Sequence, residues 1–175
     1  ELLKLGATVV AIEKDPNMVH ILRSVFSKEI ETNQLHLIEG DARTLLTTDF
    51  ETMNLPSEYS VAANIPYYIT GELVRLLLTA PHQPRTIVLL MQKEVAERIA
   101  RSKKESLLSL SVKAYGVPHY IQTVKAGNFN PPPNVDSAVL ARENISRKNF
   151  SNTPEGSFFE ILHIGFGQKR KTLLG

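Results

Sequence analysis

Asn64-Ile65-Pro66-Tyr67 is the stretch of this 175-residue chain whose residue types and spacing could do chemistry. Asn64 offers a side-chain carbonyl and the main-chain carbonyl of Ile65 lies beside it, so two acceptors can converge on one amino group. Tyr67 adds an aromatic face for a planar ring. Together, with Pro66 stiffening the turn, they would receive the exocyclic amine of a base. The bland alternative is a proline turn in which Asn64 satisfies its own backbone and the tyrosines fill a core edge. Four residues recur by chance, and on this motif alone the two readings stand level.

Three further groups could serve such a site. Glu13 ends an apolar run, where an acid at the carboxyl end of a strand can accept from both hydroxyls of a ribose. Gly40-Asp41-Ala42 sets a second carboxylate after another strand, with glycine permitting close backbone approach. Phe129, ahead of the rigid Pro131-Pro132-Pro133 connection, could be fixed as the second slice of a base-stacking sandwich. Each has an ordinary counterpart: a solvated loop acid, an Asp helix cap, and a proline-rich loop with its Phe in the core. His20 and His36 lack clustered partners and read as structural or exposed.

The elements that must position these groups follow from the periodicity. Thr8 to Ile12 reads as a buried strand, and Asp15-Pro16 opens a helix through about Lys28 with Met18, Leu22, Val25 and Phe26 on one face. Leu2, Leu3, Leu5 and Gly6 look like the glycine-capped end of an earlier helix. Leu35 to Ile38 is a short strand, and Thr47 to Ser57 a polar surface loop. Tyr59 to Ala63 leads into the Asn64 turn, and a helix with Leu73, Leu76, Leu77 and Ala80 inward begins at Thr70. The apolar run Thr86 to Met91 suits a central strand covered on both faces. Gln92 to Ile99 and Leu107 to Tyr115 read as helices, Tyr120 to Val124 and Val135 to Leu140 as strands. Thr153-Pro154 begins a last helix with Phe158, Leu162 and Phe166 along one face. Strands alternating with helices predict a parallel, doubly wound α/β sheet.

Composition narrows the function class. With 42% hydrophobic and 22% charged residues the chain is an ordinary soluble globular protein. A net charge of +2, from 20 basic and 18 acidic residues, neither demands nor excludes nucleic acid. The absence of Cys removes disulfides, thiol catalysis and thiolate metal sites, and fits a reducing cytosol. No metal-ligand spacing, Walker-type loop or Ser/His/Asp triad is present, and no apolar run is long enough to span a membrane. The sequons at Asn144 and Asn149 are therefore read as chance. Arg98, Arg101, Lys103 and Lys104 cluster at a helix end, and Lys169-Arg170-Lys171 follows the last helix. Either run could meet phosphates, though a solvated face is the commoner explanation.

Taken in order, Glu13, Gly40-Asp41-Ala42, Asn64-Ile65-Pro66-Tyr67, Gln92 to Arg98, Phe129 with Pro131 to Pro133 and Val135-Asp136-Ser137-Ala138-Val139, and Lys169 to Leu173 resemble the ribosomal RNA adenine N6,N6-dimethyltransferase family, most closely its small-subunit branch. The resemblance covers nearly the whole chain. It implies a Rossmann-like class I S-adenosylmethionine-dependent methyltransferase, with a mostly parallel sheet and helices on both faces, truncated at both ends. Residues 1–147 would form the catalytic domain, and residues 148–175 a linker and the start of a small helical RNA-binding domain.

The resemblance also assigns roles. Glu13 would hold the ribose of S-adenosylmethionine, Asp41 with Ala42 its adenine, and Asn64 would line both cofactor and target sites. Asn64 and Ile65 would accept from the target amine across Pro66, with Tyr67 and Phe129 stacking on the base. Lys169, Arg170 and Lys171 would contact RNA. The implied partner is ribosomal RNA in a small-subunit precursor, and the implied protein a cytoplasmic monomer. The family's glycine-rich cofactor loop is missing, so the isolated chain is expected to bind cofactor weakly and to be inactive. Competing readings are a large-subunit rRNA methyltransferase conferring antibiotic resistance, a non-catalytic RNA-binding relative, and a nicotinamide dehydrogenase, which would have no use for Asn64 to Tyr67.

Overall fold

A computed structural model describes residues 1–48 and 50–167, which divide into two compact units at the boundary between Ser57 and Glu58. The first unit is built on two parallel strands, β1 (Val9–Glu13) and β2 (Leu35–Glu39), in register from Val9 opposite Leu35 to Glu13 opposite Glu39. Parallel neighbours need a crossover. Here it is α1 (Pro16–Val25) and α2 (Ser27–Glu31). Asp15 starts α1 by accepting from the Asn17 amide at 2.8 Å, with Pro16 in the first turn where its missing N–H costs nothing.

The single helix expected through Lys28 is broken at Phe26, whose backbone leaves the helical region. The inward residue is Val19, while Met18 and Val25 are exposed, so the apolar face differs from the one expected. Gly6, with φ of +82°, ends a short 3-10 turn, Leu3–Leu5, as a left-handed cap. After α3 (Ala42–Thr47) the chain is not merely a polar loop. Phe50 and Met53 are buried at the two ends of a 3-10 turn, where residues three apart share one face.

The second unit is a four-stranded sheet of order β3-β4-β6-β5, made of β3 (Ser60–Asn64), β4 (Thr86–Gln92), β5 (His119–Val124) and β6 (Ser137–Arg142). Helix α4 (Thr70–Thr79) joins the parallel pair β3 and β4, whereas β6 runs antiparallel to both β4 and β5. Along β4, Ile87, Leu89 and Met91 are buried but Val88 is 37% exposed, so the apolar run is not covered equally on both faces. The alternating strand expected over Val135 to Leu140 begins instead at Ser137. It is buried at nearly every position, with the helix Lys93–Ala100 packed against it. Leu77, Leu78, Leu89, Met91, Ile99 and Leu140 form much of the core, each worth about 1.5–3 kcal/mol when fully buried.

Helices α5 (Lys93–Ala100) and α6 (Leu107–Ala114) complete this layer, α6 opened by a reciprocal Ser106–Ser109 capping box. Helix α7 (Glu155–Gly167) packs on α6 in the same unit as residues 58–147. Phe150 and Phe159 meet Tyr115 in an aromatic cluster that Phe158 extends through both, and Glu155 bonds the Tyr115 hydroxyl and Arg147. Leu162 is buried as expected, but Phe166 is 41% exposed and Phe159 takes the inward place. At the edge of the cluster Gly116, with φ of +137°, leaves room for the buried Arg142 guanidinium, which donates to the Tyr115 carbonyl. The expected RNA contacts at Lys169, Arg170 and Lys171 lie outside the described residues.

Candidate active site

The candidate site of the second unit is built where β3 ends. The Ile65 amide donates to the Leu90 carbonyl at 3.1 Å, prolonging the pairing with β4 by one step, and the Ile65 side chain is 2% exposed, an anchor for the turn. Pro66 then stops the ladder. A 3-10 turn, Tyr67–Ile69, leads directly into α4. Its first carbonyl is spoken for: Pro66 C=O accepts from the Ile69 amide at 3.1 Å and the Thr70 hydroxyl at 3.4 Å.

The two acceptors singled out from sequence remain open. Among the described residues the Ile65 carbonyl accepts no main-chain hydrogen bond, and the exposed Asn64 amide bonds neither its own backbone nor any other residue. The self-satisfied proline turn is therefore not what this segment forms. Two open acceptors in adjoining residues that both line one cleft can meet a ligand that donates twice.

That cleft measures about 260 Å³ and is lined by Asn64, Ile65, Pro66, Tyr67, Phe129, Pro131 and Pro133. It is slightly smaller than the ~300–1,000 Å³ of pockets that take drug-sized ligands, room for a single planar ring system. Phe129 thus comes to the same cavity as Tyr67 although 62 residues separate them in sequence. Its loop is tied at the base by Asp136. The Asp136 carboxylate accepts from the Ala126 amide and from Lys125, both at 3.0 Å, and its carbonyl accepts from the Lys93 amide at 3.0 Å. These bonds, the Ala126 amide foremost, hold the Asp136 carboxyl below its usual range. The Tyr67 hydroxyl bonds Ser137 Oγ at 2.8 Å.

Sequence reasoning quoted Asp136 and Ser137 but gave neither a role. The available cue was their position directly after the stiff proline run and at the first turn into a buried strand. Pro131 and Pro133, which stiffen the connection, also line the cleft.

In the first unit, Glu13 and Glu39 end adjacent parallel strands, and the Gly40 amide donates to the Glu13 carbonyl at 2.9 Å. Glu13 and Asp41 therefore share one edge of this sheet. One Glu13 oxygen accepts from the Asp15 amide at 2.8 Å; the other has no partner among the described residues. Asp41 is more engaged than expected. Its carboxylate accepts from the Arg43 amide at 2.9 Å, Arg43 Nε at 3.0 Å, Arg43 Nη2 at 2.6 Å and Lys14 Nζ at 3.0 Å, which uses its lone-pair directions. Arg43 above all, then Lys14, keeps its carboxyl far below the ordinary value. Asp41 also caps α3, with Ala42 as the first helical residue, so the ordinary counterpart is realised here whatever else the group does. Gly40 sits tight against Leu45, where a Cβ would lie 3.3 Å from its Cδ1.

Comparison with known proteins adds a separate line of information. The whole chain, residues 1–175, matches the family described as ribosomal RNA adenine dimethylase. It is 37% identical over 175 residues to ribosomal RNA small subunit methyltransferase A of Dehalococcoides mccartyi (strain CBDB1), covering 99% of this chain and 58% of the relative. It is 33% identical over 179 residues to the protein of the same name from Geobacillus thermodenitrificans (strain NG80-2), covering 99% of this chain and 60% of the relative.

Among solved structures, a dimethyladenosine transferase from Plasmodium falciparum superposes with a TM-score of 0.75 at 31% identity, over 95% of this chain and 57% of that one. The 23S rRNA methyltransferase ErmE superposes with a TM-score of 0.72 at 22% identity, over 91% of this chain and 62% of that one, a likeness of fold alone. The fold is that of the class I methyltransferases. The chain spans under two thirds of the length of each of these relatives.

Proposed function

This chain belongs to the ribosomal RNA adenine dimethylase family, and from that premise we propose that it serves the transfer of methyl groups from S-adenosylmethionine to the exocyclic N6 of adenosines in small-subunit ribosomal RNA, giving N6,N6-dimethyladenosine. The observation that carries the reading is one cleft lined by two unbonded acceptors, Asn64 and the Ile65 carbonyl, together with Tyr67 and Phe129. The choice of the small subunit is supported by relatives of that name at 37% and 33% identity. We infer a cytoplasmic protein working as a monomer on a small-subunit precursor; no helix among the described residues is long and apolar enough to cross a membrane.

The chemistry asked of the residues is modest. S-adenosylmethionine, when bound, supplies a methyl group already activated by its sulfonium. The difficulty is the amine, whose lone pair is conjugated with the purine ring. By accepting both N6 hydrogens, Asn64 and Ile65 favour the pyramidal amine and stabilise the positive charge that grows on it, a contribution made mostly in the transition state. Tyr67 and Phe129 hold the base against both faces, and about 1–3 kcal/mol of stacking per base offsets the cost of taking it from a helix. Alignment of the amine can supply roughly 7–11 kcal/mol of the barrier reduction. After one transfer the amine donates once, so one acceptor suffices for the second.

The first unit fits the cofactor by the chemistry of its donor set. Glu13 keeps an oxygen open for ribose hydroxyls at the carboxyl edge of a parallel pair. Asp41 could take the adenine amine once Lys14, whose side chain is 69% exposed, swings away. Ala42 would contribute the adjoining main chain. The expected RNA contacts of Lys169 to Lys171, and a helical RNA-binding domain begun by residues 148–175, belong to the same reading.

The test is methyl incorporation by the full-length protein into small-subunit particles, with nucleoside mass spectrometry and primer-extension mapping. N6,N6-dimethyladenosine in small-subunit RNA is the expected product. Modification confined to large-subunit RNA, or RNA binding without incorporation, would overturn the proposal.

A further inference from the structure

Tyr67 is held as well as placed. Its hydroxyl and Ser137 Oγ lie 2.8 Å apart although the residues are 70 positions apart in sequence. Ser137 is 1% exposed and opens β6 opposite Gln92 of β4 and Val124 of β5, deep in the four-stranded sheet. Among the described residues its hydroxyl has one hydrogen bond, the one to Tyr67. A tyrosine ring anchored only at its Cβ can swing about χ1. A bond at the phenolic oxygen, at the far end of the ring axis, suppresses that swing while leaving the face of the ring free to stack.

The neighbour of Ser137 holds the loop that carries Phe129. Asp136 ties the Ala126 amide and Lys125 at the base of the loop that carries Phe129, Pro131 and Pro133 into the cleft. Two consecutive residues at the start of one buried strand therefore anchor both the Tyr67 ring and the loop that carries Phe129.

We infer that Ser137 is a positioning residue for methyl transfer, acting through the Tyr67 hydroxyl to fix the ring on which the target base stacks. The inference rests on the reading proposed above and deepens it. Loss of the bond leaves the stacking surface present but lets it wander, and displacement on the scale of 1 Å can cost on the order of 100-fold in rate. Tyr67→Phe and Ser137→Ala break the same bond, so their effects should coincide instead of multiplying.

The experiment compares full-length wild type, Ser137→Ala, Tyr67→Phe and the double variant by steady-state methyl transfer to small-subunit particles. Cofactor affinity by calorimetry and melting temperature are measured in parallel, all below the lowest melting point. Each single variant is expected to lose roughly 10- to 100-fold in kcat/KM with cofactor affinity unchanged, and the double variant to lose no more than the worse single. Tyr67→Phe keeps the test decisive if Ser137→Ala folds poorly. An active wild type whose Ser137→Ala variant stays within about twofold in kcat/KM, or whose two losses multiply, overturns the role of Ser137 alone. A wild type that leaves adenosine unmethylated overturns the reading beneath it, and this inference with it.

Discussion

Replacing Asn64 by Ala should separate catalysis from stability. The side chain is exposed and forms no hydrogen bond among the described residues, while the backbone pairing of Ala63 and Asn64 with Leu89 and Leu90 does not depend on it. A substitution of this kind moves stability by at most about 0.5 kcal/mol, a shift of no more than roughly 2 °C in a domain of this size. The functional cost is reckoned differently. On the proposed reading one of two partners of a developing charge is removed, and such removals cost about 10²–10³ in kcat, or roughly 2.7–4 kcal/mol. The Ile65 carbonyl survives as main chain, so the residual rate should be measurable above background. Single-turnover methyl incorporation in the full-length protein, paired with a thermal melt, reads both quantities. A kcat within about threefold of wild type would remove Asn64 from the transition state. A melting point lowered by several degrees in step with the rate would show instead that the amide holds the turn.

Other consequences are as direct. Tyr67→Ala should reduce kcat/KM more than Tyr67→Phe, since the ring supplies about 1–3 kcal/mol of stacking that the hydroxyl does not; equal losses in RNA methylation would refute the stacking role. Asp136 has a depressed folded-state pKa, so its stabilising contribution is present above the usual value of 3.8 and disappears as pH falls through the folded value. Melting curves of Asp136→Asn and the parent should therefore differ at neutral pH and converge in strong acid. Gly116→Ala forces a Cβ into the Arg142 guanidinium at a φ of +137°, and should cost about 3 kcal/mol or more by urea unfolding. Gly6→Ala, at φ of +82° with open space around it, should cost only about 1–2 kcal/mol. Lys14→Ala releases one bond to Asp41 and should strengthen S-adenosylmethionine binding up to about fivefold by calorimetry, the scale of an exposed ion pair.

Much of this was legible in the chain because the signals were local. Asp15-Pro16, Ser106 with Ser109, and Pro66 before Tyr67 each name a helix start or a turn through groups a few residues apart. The β3-α4-β4 unit followed from one helical period between two apolar runs. What escaped depended on partners remote in sequence. Val135 to Leu140 reads as a half-covered alternating strand, yet β6 is buried nearly throughout, with α5 packed against it. Phe166 matches the same helical face as Phe158 and Leu162, but the aromatic cluster around Tyr115 selects Phe159. At the candidate cleft, Asn64 and Tyr67 stand out by residue type, and both line it. Ser137 looked like any strand serine until Tyr67 was seen above it, and Asp41 looked open until Arg43 folded back onto it.

The most direct test is a structure of the full-length protein with cofactor product and an adenosine-bearing oligoribonucleotide. The account predicts the target N6 within about 2.7–3.2 Å of both Asn64 Oδ1 and the Ile65 carbonyl, with the purine between Tyr67 and Phe129. A purine seated elsewhere, or an N6 that meets neither oxygen, would contradict it.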